Sequence, residues 1–228
     1  MKVAIAIPAR YNSTRLPGKP LIKLGSKPLI RHCYDCVKEA GFDTFVLTDD
    51  VRIASVIGED SRIVKGELMN GTERLAVAEK NDLFKGYTHV INVQGDQPFV
   101  DISWIYDTIE LLEKGWEVTH LYTDLLEGDT TDSSVVKMIH DGNKVTWMSR
   151  DFKYGSRGVF VYGFSRKFLS QYDNLIIPEE EYIEKVEQLR WLKNGFDIGI
   201  KKVSVPEGFV DINLEKDVER WKKFNVHN

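Results

Sequence analysis

Short apolar runs alternate with amphipathic segments along the first half of the chain. Runs rich in β-branched residues predict strands at Lys2–Ile7, Leu21–Leu24, Phe42–Leu47, Arg62–Lys65 and Thr88–Val93. Helical spacing of apolar positions predicts helices at Pro28–Ala40, from Asp49 or Asp50 to Ile57, at Gly71–Phe84 and at Ile102–Leu112. This order predicts a mostly parallel sheet that helices cover on both faces.

The second half of the chain has a different pattern. Asp141, Gly142 and Asn143 form a turn signal between two apolar runs, which predicts a β-hairpin. The remaining predicted elements are hairpin strands at Val135–His140 and Lys144–Met148, strands at Gly158–Phe164 and Ile198–Val205, one helix at Pro178–Asn194 and a last helix at Leu214–Phe224, which Asn213 would cap. We expect one domain over residues 1–228, with a hairpin excursion at about residues 125–157.

Composition narrows the classes of function. The chain has 228 residues, 42% of them hydrophobic and 29% charged, which is typical of a globular protein. Its net charge of −4 argues against a general nucleic-acid binder, which is usually basic. The first apolar run is too short for a signal peptide, and no membrane segment is visible, so we expect a cytoplasmic protein. Cys33 and Cys36 are interpreted as helix neighbours, because no second pair completes a zinc site.

The loop after the first predicted strand concentrates positive charge in a net-acidic chain. Arg10, Arg15 and Lys19 lie between prolines, at the carboxyl end of a strand, where ligands of such sheets bind. The loop lacks the opening glycine of a Walker A motif, and Pro20 replaces its Ser or Thr. An anion site suits this loop through charge-assisted hydrogen bonds, and a solvated loop is the alternative.

Two aspartates are candidate metal ligands. Asp96 follows the strand that ends at Val93 and stands beside Gly95, where a carboxylate suits Mg²⁺. The alternative is that Asp96 caps a turn before Pro98. Asp211 precedes the last predicted helix, and by itself it is typical of an acid at a helix start.

Three separated motifs resemble one family. Residues 7–21 (IPARYNSTRLPGKPL), 71–75 (GTERL) and 92–96 (NVQGD) are similar to the signature of 3-deoxy-D-manno-octulosonate cytidylyltransferases, the CMP-Kdo synthetases. The resemblance continues more weakly through Val136-Lys137, Ser149-Arg150, Glu187 to Arg190 and Val210 to Ile212. All three motifs stand in the order of that family, which argues against a chance match.

The resemblance implies a fold and a reaction. The fold would be a three-layer αβα Rossmann-like nucleotidyltransferase, a mostly parallel mixed sheet with a small β-hairpin excursion that joins a homodimer. The enzyme would transfer CMP from CTP to a 2-keto-3-deoxy acid sugar, release pyrophosphate and serve lipopolysaccharide biosynthesis. Its partners would be CTP and the sugar, with neither nucleic acid nor membrane, and its cofactor would be Mg²⁺.

The resemblance also implies roles for particular residues. Arg10, Arg15 and Lys19 would hold the triphosphate. The cytidine would contact Pro8, Ala9, Arg10, Arg74 and Gln94. Asp96 and Asp211 would bind Mg²⁺, and they would act in catalysis with Arg10 and Lys19. Ser149, Arg150, Glu187 and Gln188 would line the sugar pocket, where Arg150 could pair with the sugar carboxylate.

The chain departs from the family pattern on the acceptor side. The segment between Arg150 and Gly158 is short, and no His precedes Val161-Tyr162-Gly163. Arg157 could replace that His. The acceptor could therefore be Kdo, an amino-substituted Kdo or another 2-keto acid sugar.

Three other functions are weighed against this one. A nucleotidyltransferase for a nine-carbon sialic-type sugar would have a first loop richer in glycine and lysine. A glycosyltransferase that uses a nucleotide sugar would often carry an Asp-x-Asp metal motif, which Asp96-Gln97-Pro98 is not. A catalytically inactive nucleotide-binding module is the third alternative, and the presence of Arg10, Lys19, Asp96 and Asp211 argues against it.

Overall fold

A mixed sheet organises the part of the chain that the computed structural model describes, residues 1–13 and 15–224. Its nine strands in this part are β1 (Val3–Ala9), β4 (Asp43–Thr48), β5 (Ser61–Ile63), β6 (His89–Val93), β7 (Val118–Thr123), β8 (Lys137–His140), β9 (Val145–Ser149), β10 (Ser156–Ser165) and β11 (Ile198–Lys202). A separate two-stranded ribbon pairs β2 (Lys23–Leu24) with β3 (Lys27–Pro28). The helices are α1 (Leu29–Lys38), α2 (Val51–Ile57), α3 (Gly71–Lys80), α4 (Ile102–Glu113), α5 (Arg166–Gln171), α6 (Glu179–Glu184), α7 (Gln188–Lys193) and α8 (Glu215–Phe224), with 3₁₀ turns at Lys19–Leu21 and Tyr172–Asn174.

The strand order is β11-β7-β10-β6-β1-β4-β5, and the sheet is mostly parallel. β1 pairs in parallel with β4 and β6, whereas β10 runs antiparallel to both β6 and β7. The β8–β9 hairpin extends from the start of β10. Because β1, β4 and β6 run in one direction, their carboxyl ends meet at a common edge, and the loops that follow them meet there too.

The hydrophobic core has one layer on each face of the sheet. Along β1, Ile5 and Ile7 face α1, α2 and α4, while Ala4 and Ala6 face α3, α5 and α7. This alternation is what a strand buried on both faces produces, since neighbouring side chains point in opposite directions. The predicted three-layer αβα arrangement is therefore confirmed.

Most predicted elements are present with shifted ends, but two predictions are wrong and two elements were not predicted. The predicted single helix over Pro178–Asn194 is wrong: it is two helices, α6 and α7, separated at Lys185, which has a left-handed backbone (φ 53°, ψ 45°). The strand β7 was not predicted, because its buried sequence includes Thr119 and His120 and lacks a clear apolar run. The short helix α5 was not predicted either.

The second wrong prediction concerns the cap of the last helix. The side chain of Asp217 accepts hydrogen bonds from the backbone N–H groups of Asn213 and Leu214, at 2.9 and 2.7 Å. The side chain of Asn213 instead accepts a hydrogen bond from Arg15. Asn213 therefore faces the first loop and does not cap α8. The end of the chain, residues 225–228, lies outside the described residues.

The structure also bears on the two cysteines and on membrane-spanning helices. Cys33 and Cys36 lie on α1 and form no disulfide, in agreement with their interpretation as helix neighbours. None of the described helices combines the length and the apolar character that crossing a bilayer requires. The single-domain organisation stays a prediction.

Candidate active site

A cleft with a volume of about 810 Å³ opens at the common carboxyl edge of β1, β4 and β6. Its walls are the loop after β1, the start of α3, the turn after β6 and the junction between α6 and α7. The predicted site residues that line it are Pro8, Ala9, Arg10, Arg15, Lys19, Arg74, Gln94, Asp96, Arg150, Glu187 and Gln188. The predicted residues Ser149 and Asp211 do not line it. The fold therefore gathers into one cleft most residues that the motifs singled out.

The loop after β1 supplies the cations of the cleft. Lys19 begins a 3₁₀ turn, and its Nζ atom lies 2.8 Å from Oδ2 of Asp96. Arg15 donates to the side chain of Asn213 at 2.9 Å, which fixes the loop to the segment before α8. Arg10 is exposed at the mouth of the cleft, and no ion pair holds it within the described part of the chain. These three positive groups give the cleft an electrostatic preference for a polyanion.

The two predicted metal ligands are close together. The backbone carbonyl of Asp96 accepts a hydrogen bond of 2.9 Å from the N–H of Ile212, so Asp96 and Asp211 lie on adjacent segments. Oδ1 of Asp96 is buried and has no hydrogen-bond partner, whereas Oδ2 pairs with Lys19. A buried, unpaired carboxylate oxygen is costly unless a ligand satisfies it.

Asp211 has a different environment. It is buried, and it faces a smaller cavity of about 270 Å³ beside the cleft. Its Oδ1 accepts from Gln97 at 3.1 Å, and its Oδ2 accepts from Arg157 at 2.8 Å. Burial raises the pKa of Asp211, and the guanidinium of Arg157 opposes that rise. Both oxygens of Asp211 are therefore already in hydrogen bonds.

Arg157 does not take the place of the missing His. Its guanidinium is buried between two carboxylates, 2.6 Å from Asp129 and 2.8 Å from Asp211. It lines the smaller cavity and does not reach the cleft. The hypothesis that Arg157 contacts the acceptor therefore has no support in this geometry.

The start of α3 supplies the next wall. Arg74 is buried, donates to the carbonyl of Val64, and lies 3.2 Å from Oδ2 of Asp49. Burial lowers the pKa of Arg74, and Asp49 opposes this effect. Gly71 is packed so closely that a Cβ atom there would lie 2.9 Å from the side chains of Gln94 and Pro8.

Asp49 was missed as a site residue, because sequence reasoning treated it as one of two possible helix caps. The cap of α2 is Asp50, which accepts from the N–H of Arg52. Asp49 instead accepts from the N–H of Tyr11 and from Arg74, and so joins the first loop to α3. The only sequence signal for this role was its place directly after β4.

The α6–α7 junction is held by Arg150. Its guanidinium donates to the carbonyls of Glu184, Lys185 and Ser134, at 3.1, 3.1 and 2.6 Å. The side chain of Glu184 in turn accepts from Oγ of Ser149 and from the N–H of Arg150. Most donors of Arg150 are thus engaged by the protein, which leaves little for a bidentate contact with a sugar carboxylate.

Three polar groups line the cleft near this junction. Glu187 accepts from the N–H of Thr72, and burial raises its pKa to about 7. Gln188 donates to the hydroxyl of Tyr162 at 2.7 Å. Tyr162 lies on β10, and sequence reasoning did not assign it a role. Its phenol oxygen accepts from Gln188, so its O–H proton can be donated into the cleft.

A cleft that attracts a polyanion, at the carboxyl edge of an αβα sheet and beside an unpaired buried carboxylate oxygen, defines a nucleotidyltransferase. The fold agrees: the structure of a CMP:2-keto-3-deoxy-manno-octonic acid synthetase complexed with CTP matches with a TM-score of 0.87 and 26% identity, covering 99% of each chain. A cytidylyltransferase from Leptospira borgpetersenii shares the fold, with a TM-score of 0.63 and 19% identity over 96% of this chain and 84% of that one.

Sequence comparison gives the family. The family model described as cytidylyltransferase matches residues 4–202. A 3-deoxy-manno-octulosonate cytidylyltransferase of Methylococcus capsulatus is 35% identical, over 96% of this chain and 95% of the relative. An 8-amino-3,8-dideoxy-manno-octulosonate cytidylyltransferase of Shewanella baltica is 36% identical over 98% of each. The chain belongs to the cytidylyltransferase family, and the family resemblance of its motifs is confirmed.

Proposed function

We propose that this enzyme transfers the cytidylyl group of CTP to the anomeric hydroxyl of a 3-deoxy-manno-octulosonate-type acid sugar. The observation that carries the proposal is the unpaired, buried Oδ1 of Asp96, a residue that lines a cationic cleft in a member of the cytidylyltransferase family. Relatives named for both the 8-hydroxy and the 8-amino sugar match equally well, so both sugars are candidate acceptors.

The nucleotide would occupy the side of the cleft nearest β1. Arg10, Arg15 and Lys19 would contact the triphosphate, since they are the cations of the first loop. The cytosine and ribose would lie against Pro8, Ala9, Arg74 and Gln94, where the close approach of Gly71 shapes the wall. Asp49, which does not line the cleft, would hold Arg74 in place through their ion pair.

A divalent metal ion fits next to Asp96. Carboxylate oxygens are preferred Mg²⁺ ligands, and Oδ1 of Asp96 is buried without a partner. Asp211 is the second predicted carboxylate, but both of its oxygens already accept hydrogen bonds, so Asp96 would be the main ligand of the ion. When bound, such an ion supplies positive charge that stabilises the negative charge of the reacting phosphates.

The acid sugar would occupy the side of the cleft at the α6–α7 junction. Glu187 and Gln188 line this side, and Tyr162 can donate a hydrogen bond there. Ser149 would act through Glu184, which it contacts, because Ser149 itself is buried outside the cleft. Arg150 would act mainly by holding the junction.

The reaction follows from this arrangement. The anomeric oxygen would attack the α-phosphorus, and the bond from that phosphorus to the bridging oxygen of the β-phosphate would break. Pyrophosphate would leave, and the hydroxyl would release its proton to water. Lys19, Arg10 and Arg15 would stabilise the charge that develops on the leaving group. Placing both substrates in one cleft would supply much of the rate acceleration.

The test of the proposal is pyrophosphate release from CTP in the presence of Mg²⁺ and a panel of 2-keto acid sugars. We expect release with an eight-carbon acceptor, and we expect Asp96→Asn to lower the rate by about 100-fold or more while the fold is retained. The matched control is Asp124→Asn, an exposed residue outside the cleft that pairs with Lys202. An unchanged rate in Asp96→Asn would show that Asp96 is not part of the reaction.

Release of a nucleoside mono- or diphosphate from a nucleotide sugar would instead indicate a glycosyltransferase. A preference for a nine-carbon acceptor would indicate a sialic-type enzyme. Homodimer formation through the β8–β9 hairpin and a cytoplasmic location stay predictions from the resemblance. Sedimentation equilibrium of the purified protein would test the first, and a monomer at all concentrations would contradict it.

A further inference from the structure

The carboxylates proposed to hold the metal are each paired with a resident cation. Lys19 lies 2.8 Å from Oδ2 of Asp96, and Arg157 lies 2.8 Å from Oδ2 of Asp211. A positive charge this close to a carboxylate opposes the approach of a second cation. The two carboxylates therefore differ from an open dicarboxylate site, in which both charges would face the ion.

The two resident cations differ in how easily they can leave. Lys19 is partly buried but lines the cleft and pairs with a single carboxylate, so a triphosphate that enters the cleft competes with Asp96 for its ammonium. Arg157 is buried, with only 5% of its surface exposed. A second carboxylate holds it, since its Nη1 atom lies 2.6 Å from Oδ1 of Asp129. Its guanidinium also lies over the ring of Phe209, at 5.3 Å from the centroid.

Asp129 holds the guanidinium of Arg157 in this position. Its Oδ1 accepts from Arg157, and its Oδ2 accepts from the N–H of Leu126 at 2.8 Å, so both oxygens are used. The residue is 3% exposed. A buried guanidinium that bridges two buried carboxylates cannot be withdrawn without leaving uncompensated charge. Nucleotide binding in the cleft therefore frees Asp96 and leaves Asp211 paired.

We infer that Arg157 is a positioning residue that keeps Asp211 neutralised, so that the enzyme binds the divalent ion together with the nucleotide and not beforehand. This inference rests on the proposed function. Without nucleotide, each carboxylate has an oxygen engaged by a resident cation, and the affinity for a free divalent ion is low. With nucleotide, Lys19 moves to the triphosphate, and phosphate oxygens add ligands beside Asp96.

The test measures binding of Mn²⁺ alone to the full chain without nucleotide, by the loss of the electron paramagnetic resonance signal of the free ion. We expect weak binding by the wild type. Arg157→Met/Asp129→Asn removes one positive and one negative charge, which keeps the net charge of the buried cluster and frees Asp211. We expect this double variant to bind Mn²⁺ at least about tenfold more tightly.

Three variants serve as matched comparisons. Asp129→Asn leaves Arg157 on Asp211 and should not tighten Mn²⁺ binding, and Arg157→Lys keeps the positive charge and should also bind weakly. Asp211→Asn should change the wild-type affinity less than twofold, because Arg157 already compensates that carboxylate. Adding Asp211→Asn to the Arg157→Met/Asp129→Asn variant should remove the whole gain in Mn²⁺ affinity. A merely structural role of Arg157 predicts the opposite, namely weaker Mn²⁺ binding when Arg157 is lost.

Two results would overturn the inference. One is a folded double variant that binds Mn²⁺ no more tightly than the wild type. The other, which does not need any Arg157 variant to fold, is a large loss of wild-type Mn²⁺ affinity in Asp211→Asn. Neither measurement involves turnover, so a failure of the proposed reaction, seen as no pyrophosphate release, is distinguishable from a failure of this inference.

Discussion

At the scale of single residues, Glu187 shows how an environment sets the charge of a group. Burial raises the pKa of this carboxyl from 4.5 to about 7, and the N–H of Thr72 only partly offsets the effect. Between these pH values the folded protein retains a proton that the unfolded chain has lost. The contribution of Glu187 to stability therefore falls as the pH rises from about 4.5 to 7.

The variant Glu187→Gln tests this. Glutamine still offers an oxygen to Thr72 but carries no charge to bury, so its stability should not fall over this pH range. We expect the variant to match the wild type near pH 4 and to exceed its free energy of unfolding by up to about 3 kcal/mol at pH 8. Urea unfolding at both pH values measures the difference.

The control is Glu180→Gln, the same substitution at a glutamate of α6 that does not line the cleft. Lys193 lowers the pKa of Glu180, so removing its charge should shift stability in the opposite sense. A Glu187→Gln difference that does not change with pH would show that the carboxyl titrates normally in the folded protein.

Residue types and spacing predicted part of the site. Arg10, Lys19 and Asp96 stood out because charge beside a strand end is chemically unusual, and the fold brings all three to one cleft. Tyr162 could not be found this way, and the place of Asp49 after β4 did not distinguish it from its neighbour Asp50. The importance of Asp49 and Tyr162 depends on Arg74 and Gln188, which are distant in sequence and reach them only through the fold.

At the scale of elements, the break between α6 and α7 is the main departure from the sequence prediction. Pro178 at the start, three glutamates in the first turn and Gly195 at the end are typical of one helix. The helical preference of this segment does not decide its structure, because Arg150 from another part of the chain donates to the carbonyls of Glu184 and Lys185. Those carbonyls would otherwise serve the next helical turn.

Lys185 allows a direct test of the break. A non-glycine residue in the left-handed region is strained by roughly 1 kcal/mol, and glycine is not. We expect Lys185→Gly to raise the free energy of unfolding by about 0.5–1 kcal/mol, as measured by urea denaturation. In a continuous helix the same substitution would lower it by about 1 kcal/mol.

The matched control for Lys185→Gly is Lys222→Gly, an exposed lysine within α8. This substitution should destabilise the protein, because glycine disfavours helix. If both variants are destabilised to the same extent, the left-handed junction is contradicted.

At the scale of the whole molecule, one ion-pair network connects the nucleotide side of the cleft with the acceptor side. Arg190 on α7 lies 2.7 Å from Glu181 on α6 and 2.9 Å from Glu73 on α3. Asn70, which caps α3, also donates to Glu181. The two walls of the cleft are therefore held at a fixed separation by buried charges.

Removing Arg190 should be costly, because it leaves two carboxylates without compensation. We expect Arg190→Met to lower the free energy of unfolding by about 3 kcal/mol or more in urea denaturation. The control is Lys193→Met, which removes a neighbouring cation of the same helix that pairs with Glu180 at the surface. Its effect should be much smaller, since exposed pairs contribute little. Similar losses in the two variants would contradict the role of the buried network.

The sequence by itself determined the class of fold, the cationic first loop and Asp96, because these depend on periodicity, turn chemistry and local charge. Only the tertiary structure decided that Asp96 and Asp211 are neighbours, that Arg157 neutralises Asp211, and that the predicted helix breaks at Lys185. The physical reason is the same in each case. Hydrogen bonds and ion pairs between distant segments fix these groups, and a pattern of neighbouring residues contains no information about distant partners.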